Sequence, residues 1–326
     1  MTDVQPVMAG DQVPVTRRST PPRTAYVLAL VSAAAFGTSG PFGKALFQGG
    51  WSPAAAVTAR IGIAALVLAI PTVLELRGRW HLLRRNLGTI LLYGMTGVAG
   101  CQLFYFVAVE HLSVGVALLL EYLSPVLLVG YAWLTTRRRP SRLTVAGSLA
   151  ALAGLALVLN VLGDVRLDLV GVAFGLAAAF CSAAYFVVAS RSHEEGLSPL
   201  ALAGAGMAAG VLPLVAVGAL GLLPMRASTD PVPFAGHRVS FLVPLLGIAV
   251  LAAAFAYVTG VVSARMLGSR LASFVALSEV IFAVLFAWWF LGELPLPVQL
   301  AGGALIVVGV LLVRAASAEE DEPLDG

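Results

Sequence analysis

The sequence predicts an all-α integral membrane protein: ten transmembrane helices forming two inverted-topology five-helix repeats around a central cavity. Three observations predict it. Hydrophobic residues make up 59% of the 326-residue chain and charged residues only 11%, whereas a soluble domain carries roughly a quarter charged residues. Apolar stretches of about the length that crosses the hydrocarbon follow one another from end to end. The two halves of the chain also resemble each other.

Taken in order, residues 1–23 are polar and rich in Pro and Thr, without the apolar core and cleavage site of a signal peptide. They read as a disordered cytoplasmic tail. The spans are 25–47, 53–76, 87–109, 113–136, 142–162, 169–190, 198–223, 241–264, 270–291 and 297–314. The first contains "FGTSGPFGK"; Pro41 removes a backbone donor and crowds the preceding turn, so a kink or unwound stretch is expected there. Short connections make successive helices antiparallel. The first repeat spans 24–162 and the second 163–315, and 316–326 is an acidic cytoplasmic tail.

Orientation follows from the loop arginines. One side holds Arg17, Arg18, Arg23, Arg77, Arg79, Arg84, Arg85, Arg137, Arg138, Arg139, Arg142, Arg191, Arg265, Arg270 and Arg314; the other holds Arg166, Arg226 and Arg238. This bias places both termini in the cytoplasm of a cell whose plasma membrane the chain spans, and it favours an even number of spans.

The repeat is visible on shifting the chain by 155 residues, which lays Leu112 on Leu267, Trp133 on Trp288, Pro140 on Pro295, Gly147 on Gly302 and Gly154 on Gly309. With small gaps, "GWSPA" at 50–54 meets "GLSPL" at 196–200. Five spans per half is an odd number, so the second half enters the membrane from the opposite face. Inverted repeats of this kind place a substrate near the midplane between the halves.

Four charged residues fall at least three residues inside a span: Lys44, Arg60, Glu121 and Glu279. A charge at the helix centre costs at least about 2.5–3.5 kcal/mol, so such residues face protein or water. At about 1.5 Å per residue, Arg60 and Glu121 lie roughly 10 and 12 Å below the same surface, and Glu279 lies roughly 14 Å from the other. Similar depth permits an Arg60–Glu121 ion pair, either as a packing device or as part of a site. Helical phase puts Ser113, Ala117, Glu121 and Ser124 on one face of the fourth span. Ala272, Ala276, Glu279 and Ala283 share a face of the ninth, and Ala33, Gly37, Gly40 and Lys44 a face of the first. The candidate binding or coupling residues are therefore Glu121, Arg60, Glu279, Lys44, Ser124 and Gly40. Lys44 has an equal reading as a snorkelling side chain. Glu110 and His111 read as solvated, Pro125 as a packing kink, Trp133, Trp288 and Trp289 as interfacial anchors, and Glu293 as a helix-end residue.

Several function classes lose ground at once. The dispersed arginines form topology signals, not a nucleic-acid-binding patch. Cys101 and Cys181 lie in apolar runs and build neither a disulfide framework nor a CxxC zinc site. His81, His111, His193 and His237 sit in or beside loops, without an HExxH or paired-Asp motif. No Walker A motif is present. No metal or other cofactor is expected, and a membrane enzyme or a lipid scramblase ranks behind a carrier. Expected partners are a small-molecule substrate, the lipid bilayer and, as a candidate coupling ion, the proton; a homodimer stays an open option.

The residues also carry a resemblance. The chain resembles the drug/metabolite transporter superfamily, in its ten-helix branch with two EamA-type domains, over roughly residues 25 to 314. The second span "AAVTARIGIAALVLA" carries the family's basic residue, Arg60. The fourth has "LSP" with Pro125. The ninth reads "LSEVIFAVLFAWWFLGEL", where Glu279 and Gly292–Glu293 match and Val280 stands in place of the usual proline. "TTRRRP" stands where the first half often has Gly-Glu. "VGVALLLEYLSPV" is similar to the fourth span of homoserine/threonine-type amino-acid exporters. The resemblance implies export of a small metabolite, with amino acids first and drugs or nucleosides as alternatives.

Overall fold

The computed structural model describes residues 23–137, 140–158, 168–194, 197–267, 275 and 277–320. Residues 1–22 of the expected first tail and 321–326 of the second lie outside them, as do 159–162, 270–274 and 276 of the expected spans.

The first span folds as two helices, α1 (Arg23–Gly37) and α2 (Ser39–Gln48), interrupted at Thr38. The cause is local. Pro41 has no N–H to return to Gly37, so the ladder fails one turn before the proline. The Thr38 amide and hydroxyl instead turn back to Ala35 O at 3.2 and 2.6 Å. The second span is α3 (Pro53–Glu75), opened by Ser52, whose hydroxyl accepts the Ala55 N–H at 3.3 Å, with Pro53 in the first turn where its missing N–H costs nothing. A short surface helix, α4 (His81–Arg85), leads to a long rod made of α5 (Leu87–Tyr93), a π-helical stretch (Gly94–Gly100) and α6 (Cys101–His111). The fourth span is broken between α7 (Val114–Glu121) and α8 (Ser124–Thr136), and α8 starts with Pro125 in its first turn.

The later elements are α9 (Arg142–Val158), α10 (Leu169–Glu194) and α11 (Pro199–Ala219), the last capped by Ser198 on the Ala201 N–H at 3.1 Å. A hairpin follows, β1 (Val232–Phe234) and β2 (His237–Val239). Then come α12 (Leu242–Leu246), a second π-helical stretch (Gly247–Phe255) and α13 (Ala256–Leu267). The chain closes with α14 (Ser278–Leu291) and α15 (Pro297–Glu320). Two expectations need correction here. The fold is not purely α: residues 232–239 pair antiparallel, Val232 with Val239 and Phe234 with His237. The two-residue turn Ala235–Gly236 has φ of 51° and 76°, the doubly positive geometry that matches strand twist. The acidic tail also starts later than expected, because α15 runs on to Glu320.

Among the described residues, six helical segments are long and apolar enough to cross a bilayer, and Arg142–Val158, Leu169–Ala184, Ser278–Leu291 and Pro297–Val313 are shorter apolar helices. Large apolar side chains point outward along them: Leu66, Ile70, Leu212, Ile281 and Trp289 are each more than 60% exposed. In water such a surface would aggregate; in lipid it is the solvent-matched face. Inside, Leu46, Ile61, Phe106, Leu120, Ile248 and Ile306 are fully buried.

Lipid gives no hydrophobic push between helices, so close packing of small residues holds them. The pair α9 and α15 illustrates it. A Cβ on Gly147 would stand 2.6 Å from Gly309 O, and one on Gly154 2.6 Å from Gly302 O. Only glycine permits the backbones to come so near.

Candidate functional site

The helix breaks and the first π-helical stretch converge on one cavity of about 160 Å³. Phe36 and Ser39 reach it from either side of the Thr38 break, Arg60 from mid-α3, Leu118 and Glu121 from the end of α7, Tyr257 from α13, and Glu279 from the first turn of α14. Gly97 faces it from the π-helical stretch, followed by Cys101, Gln102 and Tyr105 of α6. A π turn holds one extra residue and so rotates the helix beyond it. Here it swings the polar face of α6, positions 101, 102 and 105, onto the cavity.

Arg60 is 5% exposed. Its Nη1 donates to Ser39 Oγ at 2.6 Å and its Nη2 to Ala252 O at 3.3 Å, and its guanidinium lies 5.4 Å over the Phe106 ring. Its Nε has no hydrogen-bond partner among the described residues. Glu121 Oε1 accepts the Cys101 thiol at 3.4 Å, and Glu279 Oε2 accepts the Tyr122 hydroxyl at 3.0 Å. The Gln102 Oε1 is buried without a partner among the described residues.

Of the expected site residues, the fold brings Arg60, Glu121 and Glu279 together. It does not join Arg60 and Glu121 as an ion pair: among the described residues the ion pairs are Lys44–Glu293 and His111–Asp168. Arg60 is held by neutral acceptors instead. Lys44 is removed from the cavity. It forms an ion pair with Glu293 and donates to Leu112 O at 3.0 Å, while Glu293 Oε2 accepts the Val114 N–H at 3.1 Å, at the start of α7. Lys44 therefore neither snorkels alone nor lines the site, and Glu293 does more than end a helix. Gly40 is a packing residue, where a Cβ would meet Val114 and stand 2.8 Å from the Tyr105 hydroxyl. Ser124 is buried and accepts the Ser182 hydroxyl at 3.3 Å, one turn beyond Glu121. The small-residue face of the first span packs closely against helices at Gly37 and Gly40; Phe36 and Ser39, off that face, line the cavity.

One end of the bundle is closed by aromatic rings. Phe234 of the hairpin stacks on Phe42 at 5.1 Å and packs on Phe290 at 4.7 Å, and Trp51 stacks on Phe241 at 6.0 Å. The hairpin segment is tied down by Trp51 Nε1 to Ser228 O at 2.7 Å, Ser52 N to Arg226 O at 2.9 Å, and Ala235 N to Phe290 O at 3.1 Å. Val232 is fully buried beside Gly49.

An apolar helical bundle folded around a buried polar cavity defines a multi-pass membrane protein with an internal site. The chain matches the model of the EamA-like transporter family twice, over residues 23–160 and 169–315, and it belongs to that family. It is 31% identical, over 71% of its own length and 74% of the relative's, to a probable terminal-alkyne amino-acid exporter of Streptantibioticus cattleyicolor. It is 26% identical, over 72% of its length and 75% of the relative's, to the uncharacterized inner membrane transporter YicL of Salmonella typhimurium. A solved crystal structure shares its fold at a TM-score of 0.58 and 22% identity, covering 92% of this chain and 99% of the other.

Proposed function

We propose that this protein is a secondary carrier that exports small polar metabolites, amino acids first among them, across the plasma membrane by alternating access. The observation that carries the reading is the convergence of Arg60, Glu121 and Glu279 on one small cavity without an ion pair among them. A guanidinium with an unpartnered Nε–H meets a carboxylate; two carboxylates meet an ammonium. A zwitterion satisfies both sets, whereas a simple cation or anion leaves one unmatched. An apolar cavity of about 150 Å³ accommodates benzene, so about 160 Å³ suits a solute near the size of a small amino acid. The name of the Streptantibioticus relative, an amino-acid exporter, points the same way. Glu121 or Glu279 could instead carry a coupling proton, and drugs or nucleosides remain the alternative substrates.

The ten-span, inverted-repeat architecture, with repeats at 24–162 and 163–315 and both termini cytoplasmic, belongs to this proposal. Its support is structural correspondence. The π-helical stretches Gly94–Gly100 and Gly247–Phe255 fall in the third helix of each half. Left-handed C-caps fall at Arg137 and Gly292, 155 residues apart, with φ of 56° and 72°. The glycine contacts are reciprocal: Gly147 meets Gly309 and Gly154 meets Gly302, although the sequence shift equates Gly147 with Gly302 and Gly154 with Gly309. Crossed contacts of this form are what a two-fold axis through an antiparallel pair generates.

The test is amino-acid efflux from cells loaded with dipeptides, comparing empty vector, wild type and Glu121→Gln. The expected outcome is faster release of particular amino acids by the wild type, lost in Glu121→Gln at equal membrane abundance. Efflux equal to empty vector for every amino acid overturns the substrate class.

A further inference from the structure

We infer that Gln102 selects the substrate, by hydrogen-bonding a neutral polar group on its side chain; the inference rests on the amino-acid reading above. Arg60 and the two glutamates answer the carboxylate and ammonium that every amino acid has. They say nothing about which amino acid fits. Gln102 is a further polar side chain of the cavity wall, beside Ser39, Tyr105 and Tyr257, and one with a buried acceptor atom unspent. Its Oε1 is buried without a partner, and the residue lines the same cavity as Arg60 and Glu121.

Two independent features place it there. First, the π-helical stretch Gly94–Gly100 ends just before it, and the extra residue of a π turn sets the phase that brings Cys101, Gln102 and Tyr105 to the cavity. Second, the residue before it is engaged: the Cys101 thiol has acceptors in Glu121 Oε1 at 3.4 Å and Ala178 O at 3.6 Å. Gln102 is left open while the residue before it is satisfied. A buried amide oxygen without a partner is costly, and a bound solute that supplies the missing donor removes that cost. A solute of the same shape without a polar group leaves it in place. Such sites discriminate sharply against the analogue lacking the hydrogen bond, more than an apolar pocket discriminates on a methyl group. The amide is neutral and both donates and accepts, which matches a hydroxyl or amide on a short side chain and not a second full charge.

The test is uptake of radiolabelled serine and 2-aminobutyrate, which differ by a hydroxyl in place of a methyl, into proteoliposomes holding the purified full-length protein. The comparison is wild type against Gln102→Leu and Gln102→Met. The expected result is a wild-type preference for serine of about tenfold or more in transport efficiency. In both variants the ratio falls toward unity, through a higher KM for serine, while 2-aminobutyrate transport persists and reports a folded carrier. A wild type without preference, or variants that keep it, overturns the role of Gln102 and leaves the carrier reading standing. Variants that lose both solutes equally show an amide that holds the site together and does not select, which also overturns it. A wild type that moves neither solute overturns the selection proposed here, while the amino-acid reading falls only if the efflux survey above also equals empty vector for every amino acid.

Discussion

Arg60 is the side chain on which the proposed site depends. Its guanidinium spans Ser39 on α2 and Ala252 in the second π-helical stretch, and its Nε–H has no partner among the described residues. An ammonium cannot hold that three-way geometry. Arg60→Lys is therefore expected to reach the membrane at normal abundance and to lose about tenfold or more in efflux, read in the dipeptide-loading assay. The opposite kind of residue is Asp168, exposed at the start of α10. The Gly171 N–H and the neighbouring His111 hold its carboxyl below the usual range, with the Val170 N–H adding to them. A depressed folded-state pKa stabilises above the unfolded value of about 3.9 and is lost as pH falls through the folded one. Thermal unfolding in detergent should drop less steeply below about pH 4 in Asp168→Asn than in the wild type. Charged residues at depth were legible in the sequence because a charge in an apolar run stands out. Gln102 was not, because an uncharged amide carries no such contrast. Nor was the Lys44–Glu293 pair, whose partners come from opposite ends of the chain and meet only through tertiary packing.

At the level of elements, the interface between α9 and α15 makes the sharper prediction. At Gly154 a Cβ would meet Gly302 O at 2.6 Å and Ile306 N at 2.7 Å, backbone atoms that cannot turn aside. At Gly88 and Gly130 a Cβ would meet nothing within 4 Å. Gly154→Ala should lower the unfolding temperature by the equivalent of about 1–3 kcal/mol, and Gly88→Ala and Gly130→Ala should be neutral or stabilising; equal effects at all three would deny the close contact. The apolar spans were readable because arginine, glycine and proline bound them. The π-helical stretches were not, since "GMTGVAG" and "GIAVLAAAF" suit an α-helix equally by composition. The hairpin was hidden for another reason. Its strands are three residues each and include Pro233, and they form because Phe234 and Val232 have partners on α14 and beside α2.

For the whole molecule, alternating access requires that the hairpin end of the bundle part from the rest at some point in the cycle. In the structure that end is closed by Phe42, Phe234 and Phe290, with Val232 seated at Gly49. A Cβ built at Gly49 lies 3.1 Å from the Val232 Cβ, a few tenths short of the roughly 3.5–4.5 Å that a disulfide takes. Gly49→Cys with Val232→Cys should therefore cross-link on mild oxidation. The single variants control for strain at Gly49, where a side chain crowds Val232 whatever its chemistry. If the carrier reading holds, the oxidised double variant stops transporting, and a reducing agent restores it to the level of the single variants. Full transport by the cross-linked protein would mean that solute does not leave past the hairpin, and the exit would then have to be sought elsewhere. Loss that reduction does not reverse would report damage at Gly49 and would show up in the single variant as well. The outcome separates a rigid cap, which the family fold could carry for stability alone, from a seal that opens once in each transport cycle.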